Sequence, residues 1–330
     1  MGVWFYSCTK SDKSTIPIVP NYTDVYTIVG SKIYNYNNPV QLIGSNTFHV
    51  FGAGGSDMNS WHLDIAREFV GNVKEEPLTG NPVFVNGGSY LHSLQSVVDS
   101  NRANKRVTIL CPFGWDGADS TGFTGRMPAQ TFYWNNFKVK LQLWAVQFKD
   151  QPDVWLEVWN EPYNYNRSDG FTEDVWMNNM NELVAIIRDA GNKNVILVPC
   201  AEQGQDESVL NKKGNLFLAG KTNILFDIHA YEAWLLNSNA SIGNRLMLLK
   251  QNNLAVIFGE TAPMNAGILM NPKPFLDSVY SNGFSVCGWL WKYDNKDQDA
   301  LLDSLGYPND NNNNNWGSTF KTFCLQSRKP

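Results

Sequence analysis

Eight short apolar runs alternate with amphipathic helical patterns, and this alternation constrains the fold of the 330-residue chain more than any other feature. The strand-like runs cover residues 40–46, 63–70, 106–113, 154–161, 195–200, 224–231, 255–260 and 285–291. The clearest helical patterns lie between most of them, at 90–104, 131–149, 173–190, 241–252, 273–282 and 316–325. Eight strands with intervening helices predict an α/β protein whose parallel sheet closes into a (β/α)8 TIM barrel.

An open doubly wound sheet is the alternative architecture. Its nucleotide-binding members carry a G-x-G-x-x-G loop after the first strand. The run 52–55 (Gly-Ala-Gly-Gly) lacks that spacing, and we interpret it as a flexible loop between a strand and a helix. Barrels often exceed the usual length of one domain. One catalytic barrel is therefore expected over residues 28–330, preceded by a tether at residues 1–27.

The composition excludes several classes of partner. The formal net charge is −5, and the 26 lysines and arginines are scattered. The sequence contains no basic patch that would bind nucleic acid or an anionic membrane. No run of 18 apolar residues exists, so no membrane-spanning helix is expected. Neutral partners are favoured, and the protein is expected to be a monomer.

Cysteines and histidines give no indication of a metal site. Cys111, Cys200 and Cys287 lie in apolar runs, which favours small buried residues over disulfides or metal ligands. The four histidines have no zinc-site spacing. The polar run 310–315 predicts a solvated loop, with calcium binding as the alternative. No metal or organic cofactor is implied.

Two glutamates carry the strongest functional signal. Glu161 lies in the run 158–162 (Val-Trp-Asn-Glu-Pro), and Glu260 lies in 257–261 (Ile-Phe-Gly-Glu-Thr). Each follows a short apolar run, so each is expected at the carboxyl end of a buried strand. A carboxylate there is costly without polar partners. Two such carboxylates, one a proton donor and the other a nucleophile or base, are what glycosidic bond cleavage requires.

Further polar and aromatic residues are expected beside this pair, because barrel active sites lie at the carboxyl ends of the strands. On the sixth strand, Asp227, His229 and Tyr231 alternate and so share one face. Trp289 and Trp291 are likewise placed on one face of the eighth strand, and Arg67 lies in the second.

At these residues the chain resembles glycoside hydrolase family 5, the cellulase-A family of retaining β-glycanases. The resemblance covers about residues 30–325, and several matches occur in the family's strand order. They are the first-strand stretch 39–46, Arg67 within 65–68, the tripeptide Asn160-Glu161-Pro162, His229 with Tyr231, Glu260 after 257–259, and Trp291.

The resemblance implies a role for each matching residue. Glu161 is the acid/base and Glu260 the nucleophile, Asn160 holds the sugar 2-hydroxyl, His229 borders the acid/base, Tyr231 and Arg67 hydrogen-bond the nucleophile, and Trp291 is the platform under the cleaved sugar. Apolar neighbours such as Trp159 are expected to raise the pKa of the proton donor. An arginine partner favours the charged form of the nucleophile.

One departure from the family concerns the end of the third strand. The family usually carries a histidine there, whereas residues 110–116 contain none. Trp115 or Asp116 is expected to replace this sugar contact. Trp289 is open to either a packing or a ligand role.

The resulting expectation is an endo-acting, retaining hydrolase of a β-1,4-linked polysaccharide, with glucan as the substrate and mannan as the alternative. Two rivals remain: a non-catalytic barrel that binds surface glycans, and an unrelated sugar-phosphate aldolase or isomerase. An endo-acting enzyme needs a groove open at both ends, and aromatic side chains of the rim loops are expected to line it: Trp115, Tyr163, Tyr165, Trp234, Trp291 and Tyr293.

The amino-terminal segment indicates a location. Cys8 follows Trp-Phe-Tyr-Ser and precedes a polar stretch, which resembles the end of a bacterial lipoprotein signal. Only seven residues precede Cys8, fewer than a full signal peptide contains. The resemblance is therefore either that of a shortened leader or accidental. A polysaccharide cannot cross a membrane intact, so we expect a secreted or lipid-anchored, extracytoplasmic enzyme.

Overall fold

The computed structural model describes residues 25–51, 56–71, 77–85, 89–113, 124–292, 297–311 and 313–329. Eight parallel strands form a closed barrel in which neighbours along the chain are neighbours in the sheet. They are β1 (Ile43–Thr47), β2 (Ile65–Gly71), β3 (Val107–Phe113), β4 (Val154–Glu157), β5 (Ile196–Pro199), β6 (Ile224–Ala230), β7 (Val256–Thr261) and β8 (Ser285–Gly288). The predicted (β/α)8 barrel is confirmed, and every predicted run contributes a strand.

Helices surround the barrel. They are α1 (Leu94–Ala103), α2 (Trp134–Phe148), α3 (Glu173–Asp189), α4 (Ser208–Leu218), α5 (Glu232–Leu235), α6 (Asn239–Gln251), α7 (Lys273–Ser281) and α8 (Trp316–Cys324). Six match the predicted helices. The sequence pattern missed α4, which lacks a side-chain amino-terminal cap, and the single turn α5. Between β1 and β2 the described chain forms the 3-10 turns His49–Phe51 and Ser56–Trp61.

The amino-terminal end of the barrel is filled and covered by apolar groups. Inside, Ile109, Trp155 and Leu197 belong to one buried cluster. A three-stranded antiparallel sheet, Tyr26–Val29, Lys32–Asn35 and Asn38–Val40, lies against this end. The ring of Tyr26 meets Trp155 edge-on at 5.3 Å. This end of the barrel therefore stabilises the fold, which leaves the opposite end for polar groups.

Two predicted segments fall partly outside the described residues. The strand Tyr26–Val29 includes the last two residues of the predicted tether, whereas Cys8 lies outside the described part of the chain. In the polar run, Asp310 accepts from the Ser318 amide of α8 at 2.9 Å. Asn313 donates to the Gln298 carbonyl at 3.1 Å. No helix among the described residues is long and apolar enough to cross a bilayer.

Candidate active site

Most of the expected site residues converge at the carboxyl-terminal end of the barrel. Arg67 lies in β2, His229 in β6 and Glu260 in β7. The strand β4 ends at Glu157, so Asn160 and Glu161 belong to the loop that follows it and not, as expected, to the strand. In this loop Glu161 has a φ of 43° and Tyr163 a φ of 64°. The left-handed turns bend the chain back over the barrel mouth, where Glu161 remains partly exposed.

Arg67 is the centre of the site, and all five of its N–H groups are used. Its side chain is fully buried. Nε and Nη2 donate to the two carboxylate oxygens of Glu157 at 2.8 and 2.7 Å. Nη1 donates to Glu260 at 2.7 Å and to Asn46 at 2.8 Å. The second Nη2 hydrogen reaches Asn160 at 2.9 Å. A planar guanidinium can satisfy this many acceptors in fixed directions, as a lysine cannot.

Two roles are open to a buried arginine at this position: pairing with an acidic neighbour such as Glu157 or Glu68, or contact with Glu260. The structure gives Arg67 both a structural partner, Glu157, and a functional one, Glu260. Glu68 faces away and instead bonds His49 at 2.6 Å and Asn101 at 2.7 Å. The side chains of a strand alternate between its two faces, so adjacent residues 67 and 68 contact different layers.

Asn46 has a positioning role that its sequence context does not reveal. Its Oδ1 accepts from Arg67, and its Nδ2 donates to the carbonyls of Gly259 at 2.9 Å and Gly288 at 3.2 Å. The amide thereby ties β1 to β7 and β8 just below Glu260. Its presence in the first-strand stretch 39–46 was the only signal in the sequence.

The two catalytic candidates face each other with separate sets of partners. Glu260 accepts from Arg67 through Oε1 and from the Tyr231 hydroxyl through Oε2 at 2.8 Å. Glu161 lies 2.9 Å from His229 Nδ1 through Oε1, and its Oε2 accepts from Thr124 at 3.1 Å. One oxygen of Glu161, one of Glu260 and a ring nitrogen of His229 all lie within 4.8 Å of one another. The pair can therefore act on one bond together.

Burial and charge oppose each other at Glu260. Burial raises the pKa of this carboxyl above its ordinary value, and the nearby Glu161 carboxylate raises it further. His229, Arg67 and Tyr231 lower it without cancelling the rise. Arg67 thus favours the ionised form, as the sequence suggested, but does not outweigh desolvation. Beneath the pair, burial also raises the pKa of Glu157 to about 7 in spite of Arg67.

Two groups of side chains resemble metal-ligand sets among the described residues. Glu157, Asp227 and His229 form one, and Glu161, His229 and Glu260 the other. The first already encloses a cation, because Arg67 bonds Glu157 and lies 3.6 Å from Asp227. In the second, each carboxylate has a hydrogen-bonding partner in the protein. We assign a metal to neither group.

The predicted sugar platform is wrong in one respect. Trp291 is 1% exposed and packs edge-on against Trp61 at 5.1 Å. A buried ring cannot stack on a sugar. Trp289 is partly exposed, and its ring meets Phe69 at 5.2 Å. Because Phe69 lies under the Arg67 guanidinium at 4.9 Å, Trp289 is beside the Glu260 end of the site. Of the two predicted tryptophans, Trp289 is therefore the one with a partly exposed ring beside the site.

The end of β3 is apolar where the family's histidine is missing. Phe113 packs against Phe69 at 4.8 Å and against Phe48 at 6.5 Å. Below it, Cys111 Sγ lies 3.6 Å from Asn160 Oδ1. Trp115 and Asp116, the expected replacements for the histidine, lie outside the described residues.

A groove of about 610 Å³ lies on the Glu161 side of the barrel mouth and includes Tyr165, Gln205 and Glu232 in its walls. Gln205 donates to the Tyr165 hydroxyl at 2.6 Å and to Glu232 at 3.2 Å. Burial raises the pKa of Tyr165 to about 12, with further contributions from Glu161 and Glu232. The hydroxyl therefore lies within electrostatic reach of Glu161.

The expected aromatic rim is only partly present. Tyr165 is 37% exposed in the groove, whereas Tyr163 and Trp234 are fully buried and Trp291 nearly so. Tyr293 lies outside the described residues. Polar side chains such as Gln205 and Glu232 line the groove, and neither has a sequence signal that marks it as a site residue.

A TIM barrel with paired carboxylates at its carboxyl-terminal face has the architecture of a barrel glycosidase. The chain belongs to glycosyl hydrolase family 5, because the family's cellulase model matches residues 35–295. This membership removes the sugar-phosphate aldolase or isomerase from consideration.

The chain is also similar to named β-mannanases, both in sequence and in structure. The mannan endo-1,4-beta-mannosidase of Cellvibrio japonicus is 24% identical over 214 residues, 62% of this chain and 46% of that protein. The beta-mannanase/endoglucanase A of Caldicellulosiruptor saccharolyticus is 24% identical over 203 residues, 58% and 14% of the respective chains. This chain spans less than half the length of either relative. The catalytic domain of a mannanase from Streptomyces sp. SirexAA-E superimposes with a TM-score of 0.70 at 16% identity, covering 99% of this chain and 98% of that one.

Proposed function

We propose that the protein is an endo-acting β-1,4-mannanase that retains the configuration of the cleaved sugar. The observation that carries the mechanism is the approach of Glu161 and Glu260, whose nearest oxygens lie within 4.8 Å. Retaining glycosidases hold their carboxyl groups about 5–5.5 Å apart, whereas inverting enzymes need about 6.5–9.5 Å to admit a water molecule. The short separation favours double displacement.

In the first step Glu161 gives its proton to the glycosidic oxygen while Glu260 attacks the anomeric carbon. The bond between that carbon and the leaving oxygen breaks, and a glycosyl ester forms on Glu260. Arg67 and Tyr231 each hold one oxygen of Glu260 and so aim the attack. In the second step Glu161 takes a proton from water, the water oxygen attacks the same carbon, and Glu260 leaves as a carboxylate.

The choice of mannan over glucan rests on the relatives. Both have mannan-degrading names, which supports the alternative raised by the sequence over its first expectation, glucan. Glucan remains a second candidate because one relative is also named an endoglucanase. Endo action is supported by the groove on the Glu161 side, where the leaving part of the chain would lie. The non-catalytic alternative is disfavoured because both carboxylates have the partners that catalysis needs.

A substrate panel tests this proposal. We expect linear β-1,4-mannan to lose viscosity quickly while few reducing ends appear, because internal cuts shorten long chains first. Carboxymethyl cellulose and mixed-linkage glucan should be cleaved at least about tenfold more slowly, a difference of about 1.4 kcal/mol in transition-state binding. A Glu260→Gln preparation measures contaminating activity. Faster cleavage of cellulose than of mannan would assign the enzyme to glucan.

We also propose that the enzyme works outside the cytoplasm as a secreted or lipid-anchored protein. The polymeric substrate and the polar segment after Cys8 support this location. Mass spectrometry of the amino-terminal peptide from the natural source distinguishes a lipid-modified Cys8 from an unmodified one.

A further inference from the structure

Asp227 is a fully buried carboxylate that the double displacement leaves without a role. Its Oδ1 accepts from the Gly259 amide at 2.7 Å. Its Oδ2 has no hydrogen-bond partner by ordinary criteria, although His229 Nε2 lies 3.5 Å away and Arg67 Nη2 3.6 Å away. A buried carboxylate oxygen without a donor is costly, so its neighbours indicate what it does.

The backbone of β7 is shaped to bring Asp227 into this position. A Cβ at Gly259 would lie 2.3 Å from both carboxylate oxygens of Asp227, so only glycine permits the approach. The pairing of β6 with β7 shifts at the same point, and the shift places His229 opposite Glu260. Such bulges often re-aim side chains beside active sites.

Arg67 Nη2 lies closer to two other acceptors than to His229 or Asp227. Its two Nη2 hydrogens are directed to Glu157 at 2.7 Å and Asn160 at 2.9 Å. The 3.3 Å contact of Nη2 with His229 Nε2 is the longest of the three, and it shares a hydrogen already directed to Glu157 or Asn160. The hydrogen-bonding needs of both groups are met when His229 Nε2 carries a proton and donates it to Asp227 Oδ2. The 3.5 Å separation of these two atoms then needs to shorten only slightly.

The charges around His229 favour a second proton on the ring. Asp227 faces it from β6, Glu161 from the loop after β4 at 2.9 Å, and Glu260 from β7 at 3.6 Å. Glu157 of β4 also belongs to this cluster, so four carboxyl groups face one permanent cation, Arg67, and the cluster keeps an excess of negative charge even with Glu161 protonated and the pKa of Glu157 raised to about 7. Behind the ring, Gly204 approaches so closely that a Cβ there would lie 2.9 Å from His229 Cγ. A positively charged imidazolium at His229 is best placed to offset this excess of negative charge.

We propose that Asp227 is a positioning residue that keeps His229 as an imidazolium, with Nε2–H directed to Asp227 and Nδ1–H directed to Glu161. The inference rests on the proposed function, in which Glu161 must give up a proton and then act as a carboxylate base. A fixed positive charge 2.9 Å from Glu161 stabilises that carboxylate after the first step. The same imidazolium also holds the Glu161 carboxyl group in place for the second step, in which Glu161 acts as the base.

The directions in which the pKa values of His229 and Asp227 are shifted agree with this arrangement. Burial by itself lowers the pKa of His229, but Glu260, Asp227 and Glu161 together raise it well above its ordinary value. Burial by itself raises the pKa of Asp227, and His229, Arg67 and the Gly259 amide together lower it. Each group therefore keeps the other charged.

Nitrogen NMR of the histidine rings tests the proposal directly. The chain has only four histidines, so a sample labelled with 15N-histidine gives few signals, and a His229→Gln variant assigns the relevant one. In the wild-type protein at about pH 7 we expect both His229 nitrogens to be protonated. In Asp227→Asn the ring should be neutral at the same pH. The asparagine amide can donate where the carboxylate only accepted, so it should move the remaining proton to Nδ1.

Asp153→Asn is the matched control. Asp153 is also a largely buried carboxylate, bonded to Arg102 at 2.6 Å just before β4, at the other end of the barrel. This change should leave the His229 signals where they are. A neutral His229 in the wild-type protein overturns the proposal, as does a doubly protonated ring in a folded Asp227→Asn protein. The wild-type spectrum decides the charge even if the variant does not fold.

The activity of Asp227→Asn provides the second measurement. We expect kcat to fall at least about tenfold on the best substrate of the panel while KM changes little, because substrate contacts are intact. The NMR result requires no substrate. A protein that cleaves no mannan would therefore refute the proposed function while the charge of His229 remained measurable.

Discussion

Replacement of Glu260 by glutamine should abolish turnover, with kcat lower by at least about 10⁴-fold, or about 5.4 kcal/mol in activation free energy. Glutamine keeps the shape of the side chain but cannot form the glycosyl ester. It also removes the negative charge that Arg67 faces at 2.7 Å. The expected loss holds for every substrate, including aryl glycosides with good leaving groups, because the missing step is the attack on the anomeric carbon.

The measurement is steady-state hydrolysis of an aryl mannoside and of mannan, with circular dichroism to verify folding. Glu182→Gln is a suitable control, because Glu182 pairs with Lys138 on the outside of the barrel and its side chain is 46% exposed. A Glu260→Gly variant supplied with azide should yield an α-glycosyl azide by direct displacement. Residual activity of Glu260→Gln above about 1% of wild type, without contamination, would assign the nucleophile elsewhere.

Replacement of Glu161 by glutamine should have an effect that depends on the leaving group. On mannan we expect kcat/KM to fall by about 10³- to 10⁴-fold, because the departing sugar oxygen needs a proton. An aryl glycoside with an acidic phenol needs none, so its first step should remain fast. The covalent intermediate then accumulates, since water has lost the base that activates it.

Azide discriminates this role from a structural one. It attacks the glycosyl ester without needing a base, so it should restore turnover of the aryl substrate and give a β-glycosyl azide. Thr124→Val, which removes one hydrogen bond to Glu161 at 3.1 Å, is a milder companion that should slow mannan cleavage without azide dependence. If azide restores nothing, or if wild-type enzyme first releases α-anomers, the double displacement assigned to these carboxylates is wrong.

The two tryptophans illustrate where the sequence pattern stops being informative. Alternation along an extended strand places Trp289 and Trp291 on one face. The strand β8 ends at Gly288, however, so the alternation does not extend to either residue. Trp291 enters the core against Trp61, and Trp289 remains at the surface. A pattern based on strand geometry cannot assign faces in the loop that follows.

The structure departs from the sequence prediction at Glu161 and adds to it at Asp227. The apolar run 154–161 reads as one strand, but the strand ends at Glu157; after one more barrel hydrogen bond, from Val158 to Leu197, the chain turns through left-handed residues. For Asp227 the sequence correctly indicated the shared face with His229. Its partners Gly259 and Arg67 are distant in sequence, so nothing local revealed the ion pair.

The sequence by itself determined the barrel, its strand order and the identity of the two facing glutamates. Hydrophobic periodicity specifies strands and helices locally, and parallel strands bring their carboxyl ends to one face. Only the tertiary structure decided that Arg67 joins Glu157 to Glu260, that Asn46 supports them, and that Trp289 is the exposed ring. Those outcomes depend on distances of a few ångströms between strands far apart in the chain, and close packing of the folded barrel is what sets such distances.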